Sequence, residues 1–250
     1  MIFPHTNKIE YKERKYRNLI EEKDLISFQI KEEESDLFIR TNKELSVYAR
    51  QIVLNFRKQI ENYIYRFPLF KTTLLPYSQD KKASEIIQSM VHTTALCGVG
   101  PMASVAGAIA EFVGKELLKY SSEVIVENGG DIFIKSKQLR KVNIFAGSSP
   151  FSQRIILKIE TKENYIGICT SSGMVGPSLS FGKADAVTVI SDSVLLADAA
   201  ATAVGNRIKT RKDVEQGLAY AQRIPGVKGA VIIKDDKMGL WGDINFTAIK

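Results

Sequence analysis

The run Glu123-Val124-Ile125-Val126-Glu127-Asn128-Gly129-Gly130-Asp131-Ile132-Phe133-Ile134-Lys135 sets two apolar, β-branched segments on either side of Asn-Gly-Gly-Asp. Segments of that composition fit a pleated, buried sheet, and glycines between them supply the backbone freedom a tight hairpin needs. The pattern predicts strands over Glu123 to Glu127 and Ile132 to Lys135, joined directly and therefore antiparallel. Upstream, Leu25 to Ile30 and Asp36 to Arg40 read as a second strand pair around the acidic turn Lys31 to Ser35, within a β region running from about Lys15 to Thr41. From Lys43 to Arg66 the period changes. Leu45, Tyr48, Ala49, Ile52, Phe56, Ile60, Tyr63 and Ile64 form a stripe at spacings of three and four, which is an amphipathic helix stopped at Pro68. A second helix fits Ser84 to Thr94. A third opens at Pro101 behind the turn Gly98-Val99-Gly100 and runs through small residues to Leu118.

Downstream, strands fit Val142 to Ala146, Arg154 to Ile159, Tyr165 to Thr170 and Ala186 to Ile190, with helices over Ser193 to Ile208 and Lys212 to Arg223. A hairpin turning at Asp235-Asp236 and a last strand near Ile244 to Ile249 complete the chain. Strands outnumber helices and short turns join many of them. The reading is a single α+β domain over residues 1–250, its largely antiparallel sheet packed by helices.

Composition narrows the function classes. In 250 residues, 44% are hydrophobic and 25% charged, an ordinary balance for a water-soluble protein. No stretch reaches the roughly 18 apolar residues of a membrane helix. Met1 to Lys8 lacks a secretory pattern, so the expected compartment is the cytoplasm. Cys97 and Cys169, far apart and without histidines at zinc spacing, read as buried thiols rather than a disulfide or a zinc site, and His5 and His92 are the only histidines. The net charge of +7 fits solubility or attraction of a phosphate-bearing ligand. Its lysines and arginines are scattered, the cluster Lys12 to Arg17 is diluted by Glu13, and no nucleic-acid-binding motif is present.

Four places could carry chemistry. Asp198 and Thr202 stand four apart on an Ala-rich helix, with Asn206 four beyond, so the three share one face. Either that face is solvated, or a carboxylate and a hydroxyl turned inward offer hard oxygen ligands for Mg2+. Asn128, Gly129, Gly130 and Asp131 form either a plain hairpin turn or a turn that lets a ring or phosphate approach the backbone. Thr170-Ser171-Ser172-Gly173, and Ser180 to Asp185 with Lys183, are polar loops beside strands, suited to phosphate or to solvent.

Taken in order, Gly107-Ala108-Ile109-Ala110-Glu111, Asn128-Gly129-Gly130-Asp131, Thr170-Ser171-Ser172-Gly173 and Ala197-Asp198-Ala199 with Ala201-Thr202-Ala203 resemble the ApbE family, the FAD:protein FMN transferases. The stretches Val99 to Ala103 and Ser180 to Asp185 are similar to its uncharacterised branch. The match spans roughly residues 98 to 208, which divides the domain into a divergent part, 1–97, and a motif-bearing part, 98–250. The resemblance implies Mg2+ held by Asp198 and Thr202. It also implies FAD or FMN contacted by Asn128, Gly129, Gly130, Asp131, Thr170, Ser171, Ser172 and Lys183. The activity implied is FMN transfer to a hydroxyl of a target flavoprotein, or FAD hydrolysis.

The departures point elsewhere. Val175 to Lys183 holds no histidine where such transferases carry His-x-x-Asp-Pro-x-Thr-Gly, Ala106 replaces the usual lysine, and Glu111 replaces Asp. They leave two other readings: a binding or assembly protein that kept the fold without its chemistry, and a different small-molecule enzyme using Ser180, Lys183 and Asp185. Neither a membrane nor a nucleic acid is an expected partner.

Overall fold

The structure, a computed structural model, describes residues 24–173 and 181–249. The N-terminal stretch before Asp24, with His5 and the Lys12 to Arg17 cluster, and the segment 174–180, with Ser180, lie outside the described residues.

Eleven strands and six helices are described. They run β1 (Ile26–Glu32), β2 (Ser35–Thr41), α1 (Ser46–Arg66), α2 (Leu69–Thr72), α3 (Glu85–Leu96), α4 (Val105–Leu117), β3 (Val124–Asn128), β4 (Asp131–Lys135), β5 (Arg140–Asn143), β6 (Ile155–Ile159), β7 (Ile166–Ser171), β8 (Ala186–Ser191), α5 (Val194–Gly205), α6 (Val214–Arg223), β9 (Val227–Lys234), β10 (Lys237–Gly242) and β11 (Phe246–Ala248). Eight strands make one sheet in the order β1-β2-β3-β4-β7-β8-β9-β10, and β11-β6-β5 make a second, smaller one. Among the described residues every strand pairing is antiparallel.

Alternation decides what each face of the large sheet holds. Val126, Phe133, Cys169, Val187 and Val189 point to the helices and join the core with Ile52, Val113, Val194 and Ala197. Their neighbours Ile125, Ile134, Ile168, Ile190, Val231 and Ile233 point the other way, onto Ile144, Ile155 and Leu157 of the small-sheet layer. The molecule is therefore three layers, helices over a large sheet over a small one, with a core on each side of the large sheet.

The inner helices sit close. α4 lies over β3 and β4, and α5 over β7 and β8. Side-chain size sets that distance. A Cβ on Gly114 would lie 2.5 Å from the ring of Phe133, and one on Gly167 would lie 2.6 Å from Cα of Val194. The small residues Ala197, Ala199, Ala200, Ala201 and Ala203 bury nearly all of α5 without lifting it off the sheet.

Several boundaries differ from the sequence reading. The fifth strand is Arg140–Asn143, not Val142 to Ala146, although Ile144 and Ala146 remain buried. Ile144 still bonds through its backbone to Ile155 and Gln153, and the chain then enters a compact turn in which the Ala146 carbonyl accepts from the amide of Ser149. α1 begins at Ser46 rather than Lys43 and ends at Arg66 as read, with Pro68 at the N-cap position of the short α2. Pro101 opens a 3-10 turn, Pro101–Ser104, before α4 begins. Among the described residues no single helix is long and apolar enough to cross a membrane.

Candidate functional site

The helix-facing side of the large sheet becomes polar at one end. Asn128 closes β3 and Asp131 opens β4, paired across a two-residue turn in which Gly129 has φ of 73°. A positive φ at the first central position alone is what a tight II′-type hairpin asks for, and glycine supplies it without a Cβ clash. Gly130 is needed for a different reason. A Cβ there would lie 2.5 Å from the carbonyl oxygen of Thr170 on the neighbouring strand. By alternation from Val126 and Phe133, both Asn128 and Asp131 face the helices, and Cys169 stands opposite Asp131 in the ladder.

Two helices close over this row. Asn128 Nδ2 donates to the carbonyl of Ala106 at 3.1 Å, tying the hairpin to the first turn of α4. In the same turn the amide of Gly107 donates to Asp198 Oδ2 at 2.8 Å, so α5's carboxylate takes an amide that α4 leaves free. The approach is tight enough that a Cβ on Gly107 would meet the Val194 carbonyl at 2.7 Å and Asp198 Cβ at 2.8 Å. Asp198 is thus partly buried, densely surrounded by protein, and next to a second acid.

The electrostatics follow from that placement. Burial pushes the Asp198 carboxyl well above the ordinary range, the charge of Asp131 pushes it further, and the Gly107 amide only partly opposes them. Asp131 and Asp198 therefore converge, a point the sequence left open. Both cysteines register the same field. The Cys169 thiol, which donates to the Val194 carbonyl at 3.3 Å, is raised first by burial and then by Asp131 and Asp198. Cys97 is pushed up to about 12 by burial and by Asp198. Both thiols are buried and unpaired, inert rather than nucleophilic.

One turn beyond Asp198, Thr202 is partly buried, and its hydroxyl makes no hydrogen bond among the described residues. Asn206, a further turn along, spends its Oδ1 on the amide of Phe181 at 2.9 Å. Ser171 closes β7 beneath the C-terminal end of α5, where a Cβ on Gly205 would lie 3.7 Å from its Oγ, and Ser172 follows it, partly buried.

Other expected residues stand apart. The Thr170 hydroxyl pairs with that of Thr188 at 2.9 Å, and by strand alternation both face the small sheet, away from Asp198. Lys183 is exposed and contributes its backbone amide, 2.7 Å from the Ile208 carbonyl. Asp185 is buried, accepts from the amide of Asp235 at 2.5 Å and lies 3.9 Å from Lys234 Nζ. It lines a separate cavity of about 430 Å3 with Ser148, Ser149, Pro150, Arg211, Asp235 and Asp236.

Glu111 is the residue whose role the sequence did not disclose. Its Oε2 accepts from the amides of Val194 at 2.7 Å and Leu195 at 3.3 Å and from Ser193 Oγ at 3.0 Å. Its Oε1 accepts from Lys115 Nζ at 2.6 Å and from the Tyr165 hydroxyl at 3.0 Å. One signal was available: α5 starts at Ser193 with no acid in its first turn, which leaves its free amides without an anionic neighbour of their own.

The sequence and its fold have counterparts elsewhere. A family model described as AbpE bacteria matches residues 17–239. The chain belongs to that family. It is 39% identical over 198 residues to a UPF0280 protein of Methanosarcina acetivorans, covering 78% of each chain. It is also 43% identical over 194 residues to a UPF0280 protein of Methanocella arvoryzae, covering 76% of this chain and 78% of the relative. Among solved structures, the flavinyl transferase ApbE of Pseudomonas stutzeri, in its apo form, superposes with a TM-score of 0.61 at 14% identity, over 87% of this chain and 93% of its own. The ApbE protein of Thermotoga maritima gives 0.57 at 11% identity, over 86% and 96%. At such identities the likeness is one of fold, and it makes this an ApbE-like α+β domain.

Proposed function

We propose that this protein binds a phosphate-bearing ligand, a flavin nucleotide foremost, through Mg2+ held at Asp198 and Thr202 beside Asp131. The observation that carries the reading is the Asp131–Asp198 pair, in which a buried carboxylate is raised by burial and by a like charge. A divalent cation with a preference for oxygen relieves both penalties, and a Thr hydroxyl one turn away adds a further hard donor. Among the described residues no cluster of three or more His, Cys, Asp or Glu is placed to hold a metal. Two acids and a hydroxyl suit Mg2+, which keeps several waters and takes the rest of its shell from substrate phosphates.

When bound, the cation stabilises negative charge on a phosphate oxygen. The chain's own residues do the remaining work. The Gly107 amide fixes one oxygen of Asp198, Asn128 holds the first turn of α4 against the hairpin, and the Gly129–Gly130 turn keeps backbone close to the acids. Ser171 and Ser172 offer hydroxyls at the end of β7. The relatives' fold supports a flavin as ligand because the neighbours are named flavin or flavinyl transferases. FMN transfer to a flavoprotein hydroxyl with release of AMP, or hydrolysis of FAD to the same two nucleotides, is the activity proposed.

A second reading, ligand binding without turnover, is favoured by one observation. His92, the one histidine among the described residues, sits exposed on α3 beside Gln79, and Val175 to Lys183 offers none. Incubation with FAD and Mg2+ while following AMP decides between them. AMP release, abolished in Asp198→Asn, is expected for the transferase or hydrolase; FAD binding without AMP points to the binder. Failure to bind FAD, FMN, ADP or ATP by calorimetry, with or without Mg2+, removes both.

A further inference from the structure

α4 and α5 are fastened to each other twice, one helical turn apart on each. Gly107 of α4 donates to Asp198 of α5, and Glu111 of α4 accepts from Ser193, Val194 and Leu195 at the start of α5. Gly107 and Glu111 are four apart, as are Val194 and Asp198, so each helix presents both halves of the clasp on one face. Each half is a helix N-terminus capped by a carboxylate from the other helix. Glu111 is 3% exposed, and its other oxygen is held by Lys115 and Tyr165, so its carboxylate has little freedom to turn.

We propose that Glu111 is a positioning residue for Asp198: by gripping the first amides of α5 it sets the helix's rotation and depth, and with them the place of the carboxylate one turn later. The consequence for a cation rests on the reading of Asp198 as its ligand. Two observations give the proposal its force. The space at Gly107 cannot absorb a shift of α5, since the Val194 carbonyl and Asp198 already crowd it. α5 also supplies no acid of its own to its first turn, so Glu111 is its anionic cap. Residues that orient a metal's ligands commonly change metal affinity by about tenfold to a hundredfold when replaced.

The test uses the full chain and two readouts. Amide exchange at Gly107, followed by NMR with no cation added, reports where Asp198 sits. Mn2+ affinity, followed by electron paramagnetic resonance, reports what that placement is for. Glu111→Gln is expected to speed exchange at Gly107 about tenfold and to weaken Mn2+ binding at least about tenfold. Glu111→Asp, which keeps the charge on a shorter arm, should recover part of both and also serves if the Gln variant fails to fold. Leu117→Ala, in the core at the far end of α4, calibrates how far lost stability alone speeds exchange at Gly107 and should leave Mn2+ affinity at its wild-type value. Unchanged Gly107 exchange in a folded Glu111→Gln protein, or an equal loss of Mn2+ affinity in Leu117→Ala, overturns the proposal. A wild type that takes up no Mn2+ removes the cation reading at Asp198, while Gly107 exchange still decides the clasp.

Discussion

The two faces of the large sheet surround buried charge differently. Toward the small sheet several polar groups pair with complementary partners, although Asn143 Oδ1 on β5 is buried without one among the described residues. Thr170 and Thr188 share a hydrogen bond, and Arg140, 4% exposed, reaches Asp24 through both terminal nitrogens at 3.0 and 2.7 Å while its Nε donates to Ser136. Toward the helices, Asp198 is buried beside the like charge of Asp131, and burial and that charge drive its carboxyl up. A buried like-charge pair costs stability and is common at functional sites, so the difference bears directly on the proposed cation seat.

The largest way to break the comparison is to force the helices off the acids. Gly107→Val puts a side chain where even a Cβ would overlap the Val194 carbonyl, and should cost about 3 kcal/mol or more in urea unfolding. Next, removing a charge should have opposite signs on the two faces. Arg140→Met strands Asp24 and Glu123, and about 2 kcal/mol of lost stability is expected, less than for a fully buried pair because Asp24 is part exposed. Asp198→Asn keeps an acceptor for the Gly107 amide and deletes the charge, so the cation-free protein should melt about 2–4 °C higher at neutral pH.

The same contrast has a pH signature. Hydrogen bonding and charge from Arg140 hold Asp24 below the usual carboxylate range, so its contribution is present above the unfolded value of 3.8 and is lost as pH falls through the lower folded one. Asp198 runs the other way. Its folded value is raised, the native state holds the extra proton, and stability falls as pH rises from 3.8 through the raised folded value. Melting curves of wild type and Asp198→Asn across that range should converge at low pH and separate above it; parallel curves would show that Asp198 carries no such strain. The smallest effect is expected at Thr170→Val, about 1 kcal/mol from leaving the Thr188 hydroxyl unpaired, with cation uptake unchanged.

Much of the fold was legible because the core is written in simple periods. The stripe from Leu45 to Ile64 gave α1, and Asn128 to Asp131 between two apolar runs gave the central hairpin, whose turn is the tighter Gly129–Gly130 pair. The end of β5 differs because Ile144 and Ala146 stay buried as the chain turns, and burial alone cannot tell strand from packed turn. At the site, Asp198, Thr202, Asn128 and Asp131 were singled out as oxygen-bearing residues on patterned elements. Whether they met depended on how α5 lies across β4 and β7, which no local pattern encodes. Thr170 and Lys183 show the limit of reading a loop by composition. One hydroxyl faces the wrong side of the sheet, and one ammonium faces solvent. Glu111 was noticed only as a replaced acid, because its partners are backbone amides 83 and 84 positions away.

The central claim is that the Asp131–Asp198 pair is a cation seat, and a Mn2+ titration of the wild type and Asp198→Asn at several pH values tests it most directly. The account predicts one site, tightening as pH rises because the metal displaces the proton Asp198 retains, and lost in Asp198→Asn. Equal uptake by the two proteins, or none by the wild type at any pH where it is folded, would contradict it.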